Sequence, residues 1–502
     1  MSNRYHTIII GAGFGGLGLA IRMRQSGRDD FLILEKSDGP GGVWRDNTYP
    51  GSGCDIPSHL YSYSFERQFD WSRRFPPQEE ILRYLEYCTD KYGIRDHARF
   101  NTEVTGARFD SSQGEWVVDT GTGETLVARV LVCATGQLNR PAWPEVPGLE
   151  QFRGHVFHSA RWDHEHSLRD RRVAVVGTGA SAIQFIPRIA PEAGRLFIFQ
   201  RSAPWVMPRP DWQWRPWQRR LMRRFPLLRA LDRLYLYLLF EMRVPGFTRM
   251  PWLMQLYRRR ARRQLRRQVQ DPALHPLLTP DYPMGCKRIL ISEDYLPALN
   301  HDHVELVPCG LREVRTNSVV DEDGVEREVD TIILATGFRA TEFLSPIRVI
   351  GRDGMELNEA WRNGAEAYKG ITVHGFPNLF LLYGPNTNLG HNSIVYMLES
   401  QIRYVLRAMA LMDREQLRSM EVRQEAQERF VEWVHRRMER TVWQQGCSSW
   451  YRTETGRNTN NWPGSTLTYR LMTRKPEPGD YHLIAEKDAG PVEAETDRDG
   501  VR

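Results

Sequence analysis

Hydrophobic and polar positions along the chain predict two repeats of strand, glycine-rich turn and helix. The first repeat begins with HTIII at 6–10, a β-branched run typical of a buried parallel strand. GAGFGG at 11–16 follows, then a helical stretch that ends at Gly27, and then a strand, FLILE, at 31–35. The second repeat has the same order, with RRVAVV at 171–176, GTGASA at 177–182, the helix IQFIPRIA and the strand RLFIFQ at 195–200.

The first repeat has the spacing of a dinucleotide-binding unit. Gly11 makes the turn, Gly13 lets the backbone approach a pyrophosphate, and Gly16 allows close packing of helix on strand. The positive end of the helix favours phosphate. Glu35 ends the second strand, 19 residues after Gly16, and can accept a hydrogen bond from a ribose hydroxyl.

The second repeat ends differently, in Gln200 and Arg201. An arginine at this place suits a 2′-phosphate, whereas a carboxylate would repel it, so the second nucleotide is predicted to be NADP(H) rather than NAD(H). The alternative is that Arg201 is simply a solvated surface residue. Together, the two units imply FAD and NADPH.

Further strands predict how the chain divides into domains. RVLVCATGQ at 129–137 and DTIILATGF at 330–338 both predict a strand followed by Ala-Thr-Gly, and NLFLLYGPN at 378–386 predicts a last strand before a helix at 393–409. The predicted fold class is α/β, with two Rossmann-like dinucleotide-binding domains and a helical insert in the NADPH domain. The expected segments are the first part of the FAD domain at 1–145, the NADPH domain at 146–335 with its insert at about 204–280, and the second part of the FAD domain at 336–480.

Composition is that of a soluble globular protein of two or three domains, with 502 residues of which 41% are hydrophobic and 26% charged. The start of the chain lacks a signal-peptide pattern, and no apolar run approaches the roughly 18 residues that cross a bilayer. The six cysteines are scattered without a CxxC pair, which argues against a disulfide framework, a zinc site or a dithiol redox centre. We therefore expect a cytoplasmic protein without a metal site.

The insert carries the basic charge of the chain. Between Arg209 and Arg267 there are 17 arginines and three acids, a local +14, so the rest of the chain is about −8 given the net +6. Apolar residues recur at helical spacing from Leu221 to Met242, which predicts amphipathic helices. One interpretation is a helical subdomain with solvated arginines, and another is peripheral contact with an anionic membrane; an oligomer contact is a third. Nucleic-acid binding is disfavoured because no recognition motif accompanies the charge.

The end of the chain, at 481–502, is acidic, contains proline and glycine and is poor in apolar residues. This composition predicts a disordered tail.

Two fingerprints resemble those of the type I Baeyer–Villiger monooxygenases, within the wider class of flavin-containing monooxygenases. FRGHVFHSARWD at 152–163 matches F-x-G-x-x-x-H-x-x-x-W-[P/D], and GGVWRDNTYPGSGCD at 41–55 matches G-G-x-W-x-x-x-x-Y-P-G-x-x-x-D. The segment at 284–300, with its adjacent Lys-Arg, and SWY at 449–451 resemble two further family segments. The resemblance covers roughly residues 5–475.

The resemblance implies roles for individual residues. Arg288 stands over the flavin and Asp55 positions it, and these two are the expected catalytic residues. His158 is expected to belong to the linker between domains rather than to act as a catalyst. The residues expected around FAD are Gly11, Gly13, Phe14, Gly16, Glu35, Lys36, Gly42, Val43, Trp44, Asp55, Tyr61, Val104 and Ile394. Those expected to hold NADP are Gly177, Thr178, Gly179, Ala180, Ser181, Ala182, Gln200, Arg201, Lys287 and Trp450, with Arg288 between the two cofactors.

The implied reaction uses NADPH and O₂ to convert a lipophilic ketone to an ester or lactone through a C4a-peroxyflavin. A permanently charged guanidinium suits the anionic peroxide and the negative adduct that follows. The alternative is a flavin monooxygenase that oxygenates nitrogen or sulfur, which needs no arginine over the flavin. A reductase of the disulfide type is disfavoured because a cysteine pair is missing, and a non-catalytic flavoprotein is a further alternative.

Overall fold

The computed structural model describes residues 3–447 and 449–486. Its strands, numbered in chain order, are β1 (Arg4–Ile10), β2 (Phe31–Leu34), β3 (Ala98–Arg99), β4 (Val104–Asp110), β5 (Glu115–Thr120), β6 (Thr125–Cys133), β7 (His155–His158), β8 (Arg172–Val176), β9 (Arg195–Phe199), β10 (Val206–Met207), β11 (Leu290–Ile291), β12 (Val304–Val307), β13 (Leu311–Arg315), β14 (Ser318–Asp321), β15 (Glu326–Glu328), β16 (Thr331–Leu334), β17 (Arg348–Ile350), β18 (Leu379–Leu381), β19 (Leu417–Val422) and β20 (Tyr481–Ala485).

The α-helices lie mainly between these strands and in the insert. In chain order they are α1 (Phe14–Gln25), α2 (Val43–Asp46), α3 (Gln78–Lys91), α4 (Ala182–Ile189), α5 (Pro216–Arg224), α6 (Pro226–Glu241), α7 (Val244–Phe247), α8 (Met254–Gln268), α9 (Leu274–Leu277), α10 (Tyr295–Ala298), α11 (Leu357–Ala360), α12 (Ile394–Arg414), α13 (Gln424–Met438) and α14 (Thr466–Met472).

The first glycine-rich repeat builds the centre of one sheet, with the strand order β17–β4–β5–β6–β1–β2–β3 and with β18 also paired to β6. β1 is parallel to both β2 and β6, so that Thr7 lies opposite Phe31 and Val130. Ile8 and Ile9 are fully buried and join apolar clusters on opposite faces of the sheet. This two-sided burial explains why β1 is an unbroken β-branched run. α1 connects β1 to β2 and packs against α12.

The second repeat builds a separate parallel sheet with the order β12–β9–β8–β16–β7. β16 lies between β8 and β7, and Thr331 is opposite both Val173 and His155. The strand before the second Ala-Thr-Gly segment therefore belongs to this sheet, whereas β17 and β18, which come after it, pair with strands of the first.

The segment between β10 and β11 forms the helices α5 to α9. β10 and β11 pair in parallel, with Val206 opposite Leu290, so the chain leaves and re-enters the fold at adjacent points. Among the residues that the structure describes, no helix combines the length and the apolar character needed to cross a bilayer.

The prediction of a disordered tail from 481 onward is wrong for its first residues. Tyr481–Ala485 forms β20, which pairs with β19 in antiparallel fashion, and Tyr481 is buried with 1% of its surface exposed. The physical reason is that one large aromatic residue and a free strand edge suffice to order a short segment, although the average composition of the whole tail is polar. The rest of the predicted tail, 487–502, lies outside the described residues.

Candidate active site

A cavity of about 1680 Å³ lies between the two sheets. Both glycine-rich turns, the fingerprint loop at 41–55, the insert and the segment around Trp450 contribute to its walls. Its position at the carboxyl ends of β1 and β8 is the usual place for a ligand in open α/β sheets.

In the first glycine-rich turn, each glycine has its own geometric reason. Gly11 has a φ of +103°, and a Cβ there would lie 2.8 Å from the carbonyl oxygen of Ala134. A Cβ on Gly16 would lie 1.9 Å from the oxygen of Gly11, so only glycine fits. Around Gly13, by contrast, the only described atom near a built Cβ is the Cα of Gly42 at 3.8 Å. The middle glycine thus borders open space at the start of α1, which fits the close approach of a pyrophosphate.

Glu35 closes this turn at the end of β2. Its Oε2 accepts a hydrogen bond from the backbone N–H of Ala12 at 2.7 Å, and its Oε1 accepts one from Ser37 at 2.9 Å. The carboxylate is therefore fixed at the edge of the cavity, and each oxygen keeps a lone pair for a ribose hydroxyl.

The fingerprint loop lies against the first turn. Gly41 and Gly42 have φ values of +137° and +55°, which favour glycine. Trp44 in α2 donates from Nε1 to the hydroxyl of Tyr61 at 3.1 Å, and the two rings meet edge to face at 5.6 Å. This aromatic pair gives the cavity a rigid wall. Also in the lining are the predicted FAD residues Phe14, Lys36, Gly42, Val43, Val104 and Ile394.

The second glycine-rich turn repeats the geometry of the first. Gly177 has a φ of +108°, and a Cβ there would lie 2.6 Å from the carbonyl oxygen of Ala335. Gly179 has open space in place of a Cβ. Gly177, Thr178, Gly179, Ala180 and Ser181 line the cavity, whereas Ala182 is buried beneath them as the first residue of α4.

At the end of β9, the side chains of the two predicted NADP residues, Gln200 and Arg201, lie in different places. Arg201 is exposed and lines the cavity. Gln200 is 2% exposed, and its Nε2 donates to the carbonyl of Leu277 in the insert at 2.9 Å. The Gln200 side chain thus points away from the cavity and connects the end of β9 to α9 by a hydrogen bond.

Lys287 and Arg201 form a basic cluster at this end of the cavity. Nζ of Lys287 lies 2.9 Å from the hydroxyl of Ser202 and 4.6 Å from the centre of the Tyr282 ring. Burial lowers the pKa of Lys287, and the charge of Arg201 lowers it further. Two neighbouring cations are suited to sharing one dianionic phosphate.

Arg288 and Asp55 meet between the two turns, as their implied roles require. Nε and Nη2 of Arg288 donate to Oδ2 of Asp55 at 3.1 and 2.5 Å. The charge of Asp55 raises the pKa of Arg288, so the guanidinium stays protonated. Arg288 also lines the cavity, and 38% of its side chain is accessible there. Burial raises the pKa of the neighbouring Tyr451 to about 12, so this phenol is neutral.

Cys286, two residues before Arg288, is joined to Cys447 by a disulfide with a Cα–Cα distance of 6.3 Å. The expectation of unpaired cysteines is wrong for this pair. The two lie 161 residues apart in the chain, so nothing in their local spacing marks them as partners. The link fastens the segment of Lys287 and Arg288 to the segment that carries Trp450 into the cavity wall.

The fingerprint histidine, His158, lies outside the cavity lining. It is fully buried at the end of β7, where its Nδ1 accepts from the N–H of Ala160 at 3.1 Å. Its ring packs against Trp143 and Phe338. Burial lowers its pKa to about 4, so the ring is neutral near pH 7. His158 thus packs against both segments that connect the two sheets, the one between β6 and β7 and the one between β16 and β17.

His391 is a cavity residue that sequence reasoning missed. It is 3% exposed, lines the cavity near Phe247, and neither ring nitrogen has a hydrogen-bond partner among the described residues. Burial lowers its pKa to about 3, and the carboxylate of Glu241 at 3.9 Å is too far for a hydrogen bond. One signal was present: the segment at 386–393 follows β18 at the carboxyl edge of the first sheet, where ligands bind.

The described residues contain no group of three or more His, Cys, Asp and Glu placed to hold a metal ion. The residues that are present fit two dinucleotides instead. Both turns offer an open middle glycine at the start of a helix, one beside a fixed carboxylate and the other beside two cations.

Comparisons with known proteins agree with this geometry. Residues 5–347 match the family model described as flavin-binding monooxygenase-like. A Baeyer–Villiger monooxygenase of Pseudomonas aeruginosa is 50% identical over 95% of this chain and 90% of its own length. An oxidised steroid monooxygenase bound to NADP is 31% identical, with a TM-score of 0.85 over 96% of this chain and all of the other. OTEMO in complex with FAD and NADP is 28% identical, with a TM-score of 0.84 over 96% of this chain and all of the other. The predicted fold class and both predicted cofactors are confirmed.

Proposed function

The chain belongs to the flavin-binding monooxygenase-like family, and we propose how its residues divide the work of a Baeyer–Villiger oxidation. It is an FAD- and NADPH-dependent monooxygenase that converts a ketone to an ester or lactone with O₂. The alternative, oxygenation of nitrogen or sulfur, is not favoured by these relatives. The open points are the roles of single residues, the domain division and the nature of the ketone.

Arg288 is the residue that we place at the reacting centre. When bound, FAD reduced by NADPH supplies the activated oxygen that adds to the ketone carbonyl carbon. Negative charge then develops on the carbonyl oxygen, and a fixed guanidinium in a cavity wall stabilises it. Asp55 accepts hydrogen bonds from Nε and from one N–H of Nη2, and these bonds orient the guanidinium. The other N–H groups of Arg288 stay available for the substrate. This ion pair between the two glycine-rich turns is the observation that carries the proposal.

The remaining roles follow the chemistry of each turn. Glu35 would hold the ribose of FAD, and Arg201 with Lys287 would hold the 2′-phosphate of NADPH. The proposed domain division, at about residues 145 and 335, is supported by the membership of β7 and β16 in the second sheet and of β17 in the first. Gln200 would act by holding the insert against β9.

The substrate is proposed to be a lipophilic ketone. The part of the cavity formed by the insert carries two arginines, Arg243 and Arg260, in an otherwise mainly apolar lining that includes Leu236, Leu239, Phe240, Phe247 and Met254. His391 is a neutral polar group in this wall, able to donate one hydrogen bond to a carbonyl. We also propose that the insert at 204–280 contacts a membrane peripherally.

Product analysis tests the reaction and the substrate class together. The holoenzyme with NADPH would be offered ketones of increasing chain length and a matched set of sulfides, and the products identified by mass spectrometry. Esters or lactones should form, with KM falling as the ketone becomes more apolar. Sulfoxides without any ester would contradict the proposed chemistry, and a preference for small polar ketones would contradict the proposed substrate.

A further inference from the structure

Helix α6 presents its apolar face to the outside. Its exposed large residues are Leu227, Leu228, Leu231, Leu234, Tyr235, Leu238 and, just beyond its end, Met242, with exposures from 38% to 69%. At 100° per residue these positions fall within an arc of about 120° on one side of the helix. We call this set the leucine stripe. A helix at the surface of a globular protein normally turns such a stripe toward the core.

The opposite face of α6 holds the helix to the body through buried Leu236 and Phe240, which cluster with Leu60, and through polar contacts. Arg229 is 4% exposed and donates to the carbonyl of Arg67 at 3.0 Å. Asp232 pairs with Arg74 at 2.8 Å and with His59 at 2.7 Å. Arg233 donates to the carbonyls of His59 and Ser62, both at 2.8 Å. These contacts fix the orientation of α6, so the outward stripe is a built feature rather than the result of a loosely placed helix.

The surroundings of the stripe are strongly basic. Three acids of the insert face the body: Asp211 pairs with Arg73, Asp232 with Arg74, and Glu241 accepts from Asn392 and Thr466. The fourth, Asp271, is exposed and follows α8. Arg219 is paired with Asp70. Within the described chain, Arg220, Arg223 and Arg224 of the neighbouring α5 form no ion pair, and all three are exposed. Outward-facing leucines flanked by unpaired arginines match an anionic lipid surface.

A second copy of the chain fits this surface less well. Two such faces would bring together two copies of the segment from Arg209 to Arg267, each with 17 arginines and only three acids. Like charges across an interface are unfavourable, whereas anionic headgroups neutralise them. A nucleic acid would satisfy the arginines but would leave the leucine stripe in contact with a charged backbone.

The cavity reaches the leucine stripe at Tyr235. Trp212 and Tyr235 both line the cavity and are 44% and 59% exposed. Leu236, Leu239 and Phe240 of the same helix lie in the cavity wall behind them. One helix thus contributes both to the cavity wall and to the outward stripe, and Tyr235 belongs to both.

We propose that α5 and α6 dock on an anionic bilayer, and that a lipophilic ketone passes from the lipid into the cavity between Trp212 and Tyr235. The substrate part of this inference rests on the proposed function, whereas the docking part does not. One face of α6 would then make the membrane contact, and the same helix would connect that contact to the active site.

Vesicle co-sedimentation of the holoenzyme tests the docking. Phosphatidylcholine vesicles would be compared with vesicles that also contain phosphatidylglycerol. The wild type should bind the anionic vesicles, and salt should weaken the binding. The double variant Leu231→Gln with Leu238→Gln, here called the stripe variant, should lower the partition coefficient between anionic vesicles and water at least about tenfold. A matched control is Val325→Gln with Ile484→Gln, which changes two residues of similar exposure, 50% and 46%, far from the insert in the chain; it should bind as the wild type does.

Arginine variants separate the electrostatic contribution to docking from the apolar contribution of the leucine stripe. Arg220→Gln and Arg223→Gln should each lower binding to anionic vesicles by about fivefold, with little effect on neutral vesicles. Equal binding by the stripe variant and the control would overturn the proposal. It would also be overturned if the wild type sedimented as a dimer without vesicles and the stripe variant as a monomer, because the stripe would then be a contact between copies.

Kinetics test the passage of substrate. The stripe variant should show a higher KM for a long-chain ketone dissolved in vesicles, with an unchanged KM for a water-soluble ketone. An unchanged KM for both would overturn the entry route. Vesicle binding without ester formation from any ketone would leave the docking intact and contradict the proposed function, so the two failures are distinguishable.

Discussion

The two glycine-rich turns share the conformation of their first glycine but differ at the third motif position and at the ends of the strands that follow. In each, the first glycine lies against the alanine of an Ala-Thr-Gly segment: Gly11 against Ala134 and Gly177 against Ala335. The third position is Gly16 in the first turn and Ala182 in the second. The strands that follow end in Glu35 and in Gln200 with Arg201.

This difference separates what builds a dinucleotide site from what selects the dinucleotide. The shared feature is a left-handed first glycine under a neighbouring carbonyl, and it shapes the turn in both halves. The third position depends on how closely the helix approaches the strand. The approach is closer in the first turn, where only glycine fits. We propose that the strand end then selects between a ribose hydroxyl and a phosphate by the sign of its charge.

The largest effect is expected where the turns differ in packing. Gly16→Ala would place a Cβ 1.9 Å from the carbonyl oxygen of Gly11. This oxygen belongs to the backbone, so it cannot move aside without shifting the turn. We expect a loss of about 3 kcal/mol or more in the free energy of unfolding, together with loss of bound FAD. Thermal unfolding and the ratio of flavin to protein absorbance measure both.

The matched change in the second turn is Ala182→Gly. It removes a buried methyl group from the start of a helix and should cost only about 1 kcal/mol, with FAD retained. Similar losses in the two variants would show that the turns do not differ in packing.

The next effect concerns the contact that joins the two halves, Arg288 with Asp55. Arg288→Ala should leave reduction of the flavin by NADPH within a few-fold of the wild type, because the glycine-rich turns are intact. Ester formation should fall about 1000-fold, since the developing negative charge loses its fixed cation. Stopped-flow flavin reduction and mass spectrometry of the product separate the two steps. Arg288→Lys, which keeps the charge without the planar fork, should restore part of the ester yield. Ketone turnover at the normal rate in the alanine variant would exclude Arg288 from the reacting centre.

The two halves also differ in how much of them the sequence could reveal. Glycine spacing and strand ends predicted both turns, Glu35 and Arg201, because these are local features of a β-α-β unit. Local patterns did not reveal that Gln200 turns toward Leu277, because that contact depends on where the insert returns.

Long-range proximity explains the other omissions. Cys286 and Cys447 are distant in sequence, and His391 belongs to no motif. For α6, periodicity predicted that its leucines share a face. The contacts of the opposite face, from Arg229, Asp232 and Arg233 and from buried Leu236 and Phe240, decide that the leucines point outward.

A smaller effect is expected from the charge that distinguishes the strand ends. Arg201→Glu gives the second unit the carboxylate of the first and should repel a 2′-phosphate. We expect kcat/KM for NADPH to fall about 100-fold while that for NADH changes little. Initial rates with both nucleotides measure the ratio. Arg201→Lys keeps the charge near Lys287 and should preserve most of the preference, and an unchanged ratio in the glutamate variant would mean that Arg201 does not contact the phosphate.

The smallest effect concerns the packing between the halves, where His158 lies beside Phe338. Burial lowers its pKa to about 4, below the ordinary value of 6.5 that it regains on unfolding. The unfolded chain therefore binds the proton first, and the stability present above pH 6.5 is lost as the pH falls toward 4. At pH 4.5 this group alone should remove about 2 kcal/mol from the free energy of unfolding. His158→Gln removes the titration, so denaturant unfolding of the variant should depend less steeply on pH between 6.5 and 4.5. Parallel pH profiles of variant and wild type would mean that His158 is already accessible to protons in the folded protein and that the two halves are packed more loosely there.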